Sequence, residues 1–163
     1  MMICNNQMEA VLQNNHTGNI GRDHSYPITQ KTTMTGEPYW CVDVIEEDAI
    51  PRFAGIQLTD HEWYINEVYL CYGESVIELV TKGLRIVKAW KSQMKEHWPS
   101  VPFDILLSVD YGDNEIKPSA TLRFWAVRNG YHYIQPQKEN LDKFTTNAVM
   151  INCVNYANKQ VKN

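Results

Sequence analysis

The chain has 163 residues, 44% of them hydrophobic and 21% charged, with a net charge of −4. That length suits one domain with a core large enough to need no staples, and five tryptophans with nine tyrosines exclude a chain too polar to fold. No run approaches the roughly 18 continuous apolar residues of a membrane span. The start, Met1-Met2-Ile3-Cys4-Asn5, lacks the basic-then-apolar pattern of a secretory signal, so the cytosol is the expected compartment.

Residues 1–36 are polar and rich in Asn, Thr and Gly. Asn14 to Gly21 reads as loop, preceded by a weak helix at Gln7–Gln13. Tyr39–Ile45 mixes Tyr, Trp, Val and Ile and predicts a strand, ended by Glu46-Glu47-Asp48. Pro51 and Gly55 punctuate a loop. His61–Tyr72 fits both periods: alternation groups Trp63, Ile65, Tyr69 and Cys71, and helical spacing groups Ile65, Tyr69 and Tyr72. A helix is the expectation there.

Ser75–His97 is the clearest element. Ser75 and Glu78 form an S-x-x-E capping box, and Val76, Val80, Leu84, Val87, Met94 and Trp98 recur at three- and four-residue steps. Pro99 marks the end. Gly83 inside this helix points to close packing against a sheet. Strands are expected at Phe103–Asp110, Ala120–Val127, Tyr131–Gln135 and Ala148–Val154. Asn129-Gly130 signals a tight hairpin, because both residues tolerate positive φ. Lys138–Phe144 reads as a turn or short helix. The expected fold is one α+β domain over 1–163, an antiparallel sheet packed on one long amphipathic helix, with a loop-rich region at 1–36.

Chemical motifs are sparse. Cys4, Cys41, Cys71 and Cys153 are scattered and form no C-x-x-C pair, which predicts free, mostly buried thiols and no zinc site. His61-Glu62 fails the H-E-x-x-H pattern because position 65 is Ile. Asp110 to Glu115 lacks calcium-loop spacing and reads as a turn. No glycine-rich phosphate loop exists, and no cofactor is expected. The long helix carries a stripe of Lys82, Arg85, Lys88, Lys91 and Lys95, but a pI near 5.7 argues against nucleic acid. The alternative to a binding protein is a small α+β enzyme or ligand-binding domain. Its site would draw on His61, His132 or Cys153, the last two as a base and a nucleophile.

Charge is unevenly spread. Glu37 to Glu78 holds ten acidic residues against Arg52 alone, a local −9, and residues 79–163 carry +5. Such clustering focuses a negative potential and speeds encounter with a cationic partner. Tyr39, Trp40, Trp63, Tyr64, Tyr69 and Tyr72 lie in the same stretch. The expected partner-binding set is Asp43, Glu46, Glu47, Asp48, Glu62 and Glu67, with Trp63 or Tyr64 as the anchor.

The stretch Phe103-Asp104-Ile105-Leu106-Leu107-Ser108-Val109-Asp110, followed by Leu122-Arg123-Phe124-Trp125-Ala126-Val127-Arg128-Asn129-Gly130-Tyr131-His132-Tyr133, resembles the small immunity proteins of bacterial toxin systems, including contact-dependent growth inhibition. The resemblance spans roughly the last 90 residues and is one of style; it carries no residue roles. It implies a cytosolic, non-catalytic antitoxin with an acidic surface. Such a protein inhibits its cognate basic, nuclease-like toxin by protein–protein interaction, its carboxylates standing in for substrate phosphates. No nucleic-acid or membrane partner is implied.

Overall fold

The computed structural model describes residues 1–14, 26–43, 50–71 and 73–156. The element order is β1 (Met2–Cys4), α1 (Asn6–Gln13), β2 (Ile28–Thr32), β3 (Pro38–Val42), α2 (Ile56–Ile65), β4 (Val68–Leu70), α3 (Val76–His97), β5 (Phe103–Asp110), β6 (Ser119–Ala126), α4 (Lys138–Leu141) and β7 (Asn147–Val154). Strands β1-β7-β5-β6-β4 form one antiparallel sheet, and β2 and β3 form a separate hairpin. The fold is α+β, with the long helix α3 against the sheet.

Helix α3 starts where its capping box predicts. The Ser75 hydroxyl accepts from the Glu78 amide, and the Glu78 carboxylate accepts from the Ser75 amide at 2.7 Å. Its inner face buries Leu79, Val80, Ile86, Val87, Trp90 and Met94. Gly83 lies against the sheet at Leu107: a Cβ there would meet Leu107 Cδ1 at 2.6 Å. The hairpin is tied to the same helix. Gln93 receives the Ile28 amide at 3.0 Å and donates to the Ile28 carbonyl at 2.6 Å.

Alternation along the strands divides the core in two. Phe103, Ile105, Leu107 and Val109 face α3, with Leu122, Phe124 and Met150 beside them. The opposite face collects Leu106, Trp125, Val127, Leu141, Val149, Ile151 and Cys153. Covering both faces makes β5 read as an almost unbroken apolar run. Asp104 interrupts it on the second face, directly across from Trp125 on β6 and Cys153 on β7.

Two expectations need correction. The helix expected over His61–Tyr72 begins earlier and stops at Ile65, and Val68–Leu70 is instead strand β4. Asn66 ends the helix because its side chain is recruited elsewhere: it accepts from the Val42 amide at 3.0 Å and donates to the Trp40 carbonyl at 2.9 Å. The strand expected over Tyr131–Gln135 is absent. Asn129 and Gly130 do adopt positive φ and close a bridge between Arg128 and Tyr131, but the chain then leaves the sheet. The backbone groups a strand would have used there are already taken by α2. Ala126 N–H donates to Glu62 at 2.7 Å, the Ala126 carbonyl accepts from Thr59 at 2.8 Å, and the Phe124 carbonyl accepts from Asn66 at 3.3 Å. Strands β1, β2 and β4 had no clear sequence signal. Residues 15–21 of the expected loop, the end of the expected strand at 44–45, Glu46, Glu47, Asp48 and Tyr72 lie outside the described residues.

Candidate functional site

Helix α2 carries different chemistry on its two sides. Inward, Glu62 and Asn66 stand four residues apart and therefore share a face. Together they join the hairpin to the main sheet. Glu62 is fully buried. Arg128 grips it with both nitrogens, Nη1 to Oε2 at 2.9 Å and Nη2 to Oε1 at 2.7 Å. The Trp40 amide adds a donor at 3.1 Å beside that of Ala126. Burial pushes the Glu62 carboxyl up, against the downward pull of Arg128 and the two backbone amides. Glu62 was expected to face a partner; it is instead an internal clamp, out of any partner's reach.

Trp63 was one of the two expected anchors, and it too is engaged. Its ring stacks on Tyr133 at 4.2 Å between centroids and meets Trp125 edge-on at 5.2 Å. Arg123 lies over it at 4.8 Å and donates to its carbonyl at 2.7 Å. The same Arg123 pairs with Glu67. Trp63 thus packs the second core and fixes the end of α2.

The outward side is different. Ile56, Asp60 and Tyr64 recur every four residues and are all exposed, Tyr64 by 79%. Tyr131 donates to Asp60 at 2.8 Å. Beyond the helix end come exposed Glu67, which is ion-paired to Arg123, and Tyr69 on the edge strand β4. Asp43 is exposed too, accepting from Thr29 at 2.7 Å. Val42 touches Asn66, so Asp43 and Glu67 each sit one residue past a shared contact. Of the expected partner-binding set, Asp43, Tyr64 and Glu67 are exposed. Tyr39 and Trp40 are core residues.

The expected His132–Cys153 association has a structural counterpart. Both residues gather on Asp104, which is itself fully buried. His132 Nδ1 lies 2.7 Å from Asp104 Oδ2, and Tyr156 donates to Oδ1 at 2.6 Å. Burial, and next the Asp104 charge, pushes the Cys153 thiol up to about 12. A thiol held protonated is a poor nucleophile. Burial likewise raises the Tyr156 phenol, with Asp104 adding to the effect. The cluster satisfies a buried carboxylate and pins residues 132 and 156 to the sheet. Asp104 and Tyr156 escaped sequence reasoning, although a lone Asp inside an apolar strand signals a buried partner.

His61 lies between the rings of Tyr39 and Phe53, at 5.9 and 5.5 Å. Among the described residues no group of three or more His, Cys, Asp or Glu side chains is placed to hold a metal ion, and no helix is long and apolar enough to cross a membrane. In comparisons with known proteins the chain matches no family model, no curated protein and no solved structure.

Proposed function

We propose that the protein acts by binding another protein, as an immunity protein that neutralises a cationic, nuclease-like toxin domain. One observation carries this reading: Tyr64, 79% exposed, completes an outward stripe with Ile56 and Asp60 on a helix whose opposite face is locked by buried hydrogen bonds. An aromatic group held ready on a rigid backbone loses little freedom on binding, which is what an interface anchor needs. Asp60 stands one turn before it on the same stripe, Asp43 and Glu67 are exposed as well, and the wider −9 stretch favours encounter with a basic surface.

A small enzyme using His132 and Cys153 is the competing reading. Their meeting at Asp104 favours it; the buried, protonated thiol weighs against it.

Co-purification with the product of the adjacent upstream gene tests the proposal. A complex is expected, with Tyr64→Ala weakening it at least tenfold and Asp43→Lys slowing association and flattening its salt dependence. Unaltered affinity in Tyr64→Ala would move the interface elsewhere, and the absence of any complex with a basic partner would defeat the immunity reading.

A further inference from the structure

Away from α2, a cleft of about 350 Å3 opens between the outer side of α3 and the β1–β7 edge. That volume falls in the range of about 300–1,000 Å3 typical of small-molecule sites. Lys88, Lys91 and Lys95 line it, over an apolar strip of Leu84 and Val87.

The three lysines share one helix stripe at three- and four-residue steps. Like charges so spaced repel along a helix. Four other cations are paired: Lys82 with Glu74, Arg123 with Glu67, Arg128 with Glu62, Lys138 with Glu9. Among the described residues, no carboxylate pairs with Lys88, Lys91 or Lys95. Lys91 donates only to the Asn152 side-chain oxygen, at 3.2 Å. That contact fixes the amide orientation, because turning it would set two donors face to face. Asn152 itself is only 3% exposed, so its side chain holds Lys91 against the cleft floor.

We propose that this cleft binds a small organic phosphate. Three lysines lining one cleft exceed the single charge of a carboxylate. A phosphomonoester carries about −1.5 to −2 at neutral pH and three acceptor oxygens. Its phosphate sits among Lys88, Lys91 and Lys95, and its organic body lies on Leu84 and Val87. The site is independent of the α2 face and of the immunity reading.

The test is an NMR titration of the full chain at constant ionic strength, with phenyl phosphate and inorganic phosphate as probes. It follows the lysine side-chain and α3 amide signals. Phenyl phosphate is expected to saturate, with shifts confined to the cleft and affinity at least tenfold tighter than inorganic phosphate. Lys91→Gln and the more exposed Lys88→Gln should each weaken it at least threefold. Lys143→Gln, at an exposed lysine that does not line the cleft, should leave it unchanged. Linear shifts spread over all lysines, equal affinity for the two probes, or indifference to both cleft variants would overturn the proposal. A second arm uses vesicles of phosphatidic acid in phosphatidylcholine: binding there that exceeds phenyl phosphate assigns the phosphate to a lipid headgroup, and its absence assigns it to a soluble ligand.

Discussion

Arg128 holds Glu62 through two parallel hydrogen bonds of 2.9 and 2.7 Å, across 66 residues of sequence, with Glu62 fully buried. Removing one member of such a pair strands the other without compensation, whereas replacing both with apolar groups of similar shape is far milder. Glu62→Gln is therefore expected to cost about 3–5 kcal/mol in urea unfolding. Glu62→Leu combined with Arg128→Met should cost less than the two single changes together. Additive costs in that double-mutant cycle would mean the pair does not act as a unit.

Cys153 gives a second prediction. Its thiol is 4% exposed and raised to about 12, whereas Cys4 and Cys71 are partly exposed. A thiol reagent at pH 8 should modify Cys71 in the folded protein and reach Cys153 only on unfolding. The pH dependence follows from the direction of the shift. The folded value lies above the ordinary 9.0, so the folded state keeps a proton that the unfolded chain releases. This contribution is complete below about pH 9 and is lost as pH rises toward 12. Cys153→Ala should lose less stability than the natural chain over that window; equal losses would remove Cys153 as the cause.

Local pattern carried what local physics decides. Helix α3 was legible because its apolar stripe, its capping box and Pro99 all agree, and the fold class followed from that helix with the strands after it. What escaped is what distant residues decide. Glu62 sits among nine other acids and looks like surface charge; only its partner at 128 makes it internal. Trp63 looked like an anchor until Tyr133 and Arg123 closed on it. The strand expected at 131–135 failed because side chains of α2 took the β6 backbone groups it needed. Strand β1, three residues long, exists through pairing with β7 from the other end of the chain. Tyr64 stayed exposed as one of the two candidate anchors, since its place four residues after Asp60 keeps it on the outer side.

Gly83 meets Leu107 so closely that an added Cβ would lie 2.6 Å from Cδ1. Two effects oppose each other. Alanine gains about 1 kcal/mol of helix propensity, and overpacking costs about 1–3 kcal/mol. Leu107 is fully buried in the central strand, so packing should win. Gly83→Ala is expected to destabilise by about 1 kcal/mol net. Adding Leu107→Val should recover part of that loss, although Leu107→Val alone opens space and destabilises. If Gly83→Ala raised the melting temperature, α3 would have more room over the sheet than the Leu107 contact implies.

The capping box supplies a prediction at acid pH. The Ser75 amide and hydroxyl bond the Glu78 carboxylate, and these bonds hold its proton affinity below the ordinary value of 4.5. A lowered folded value means that the unfolded chain takes up the proton first. The stabilisation is present above about pH 4.5 and disappears as pH falls through the folded value. Ser75→Ala removes the hydroxyl cap and should cost about 1 kcal/mol at pH 7. Glu78→Gln keeps a hydrogen-bonding side chain but no charge, so its stability difference from the natural chain should shrink as pH drops below 4.5. Because Glu78 is exposed, added salt should reduce the charge effect while leaving the Ser75→Ala loss largely intact. A pH-independent gap for Glu78→Gln would show that the box works through geometry alone, with no contribution from the charge at the start of α3.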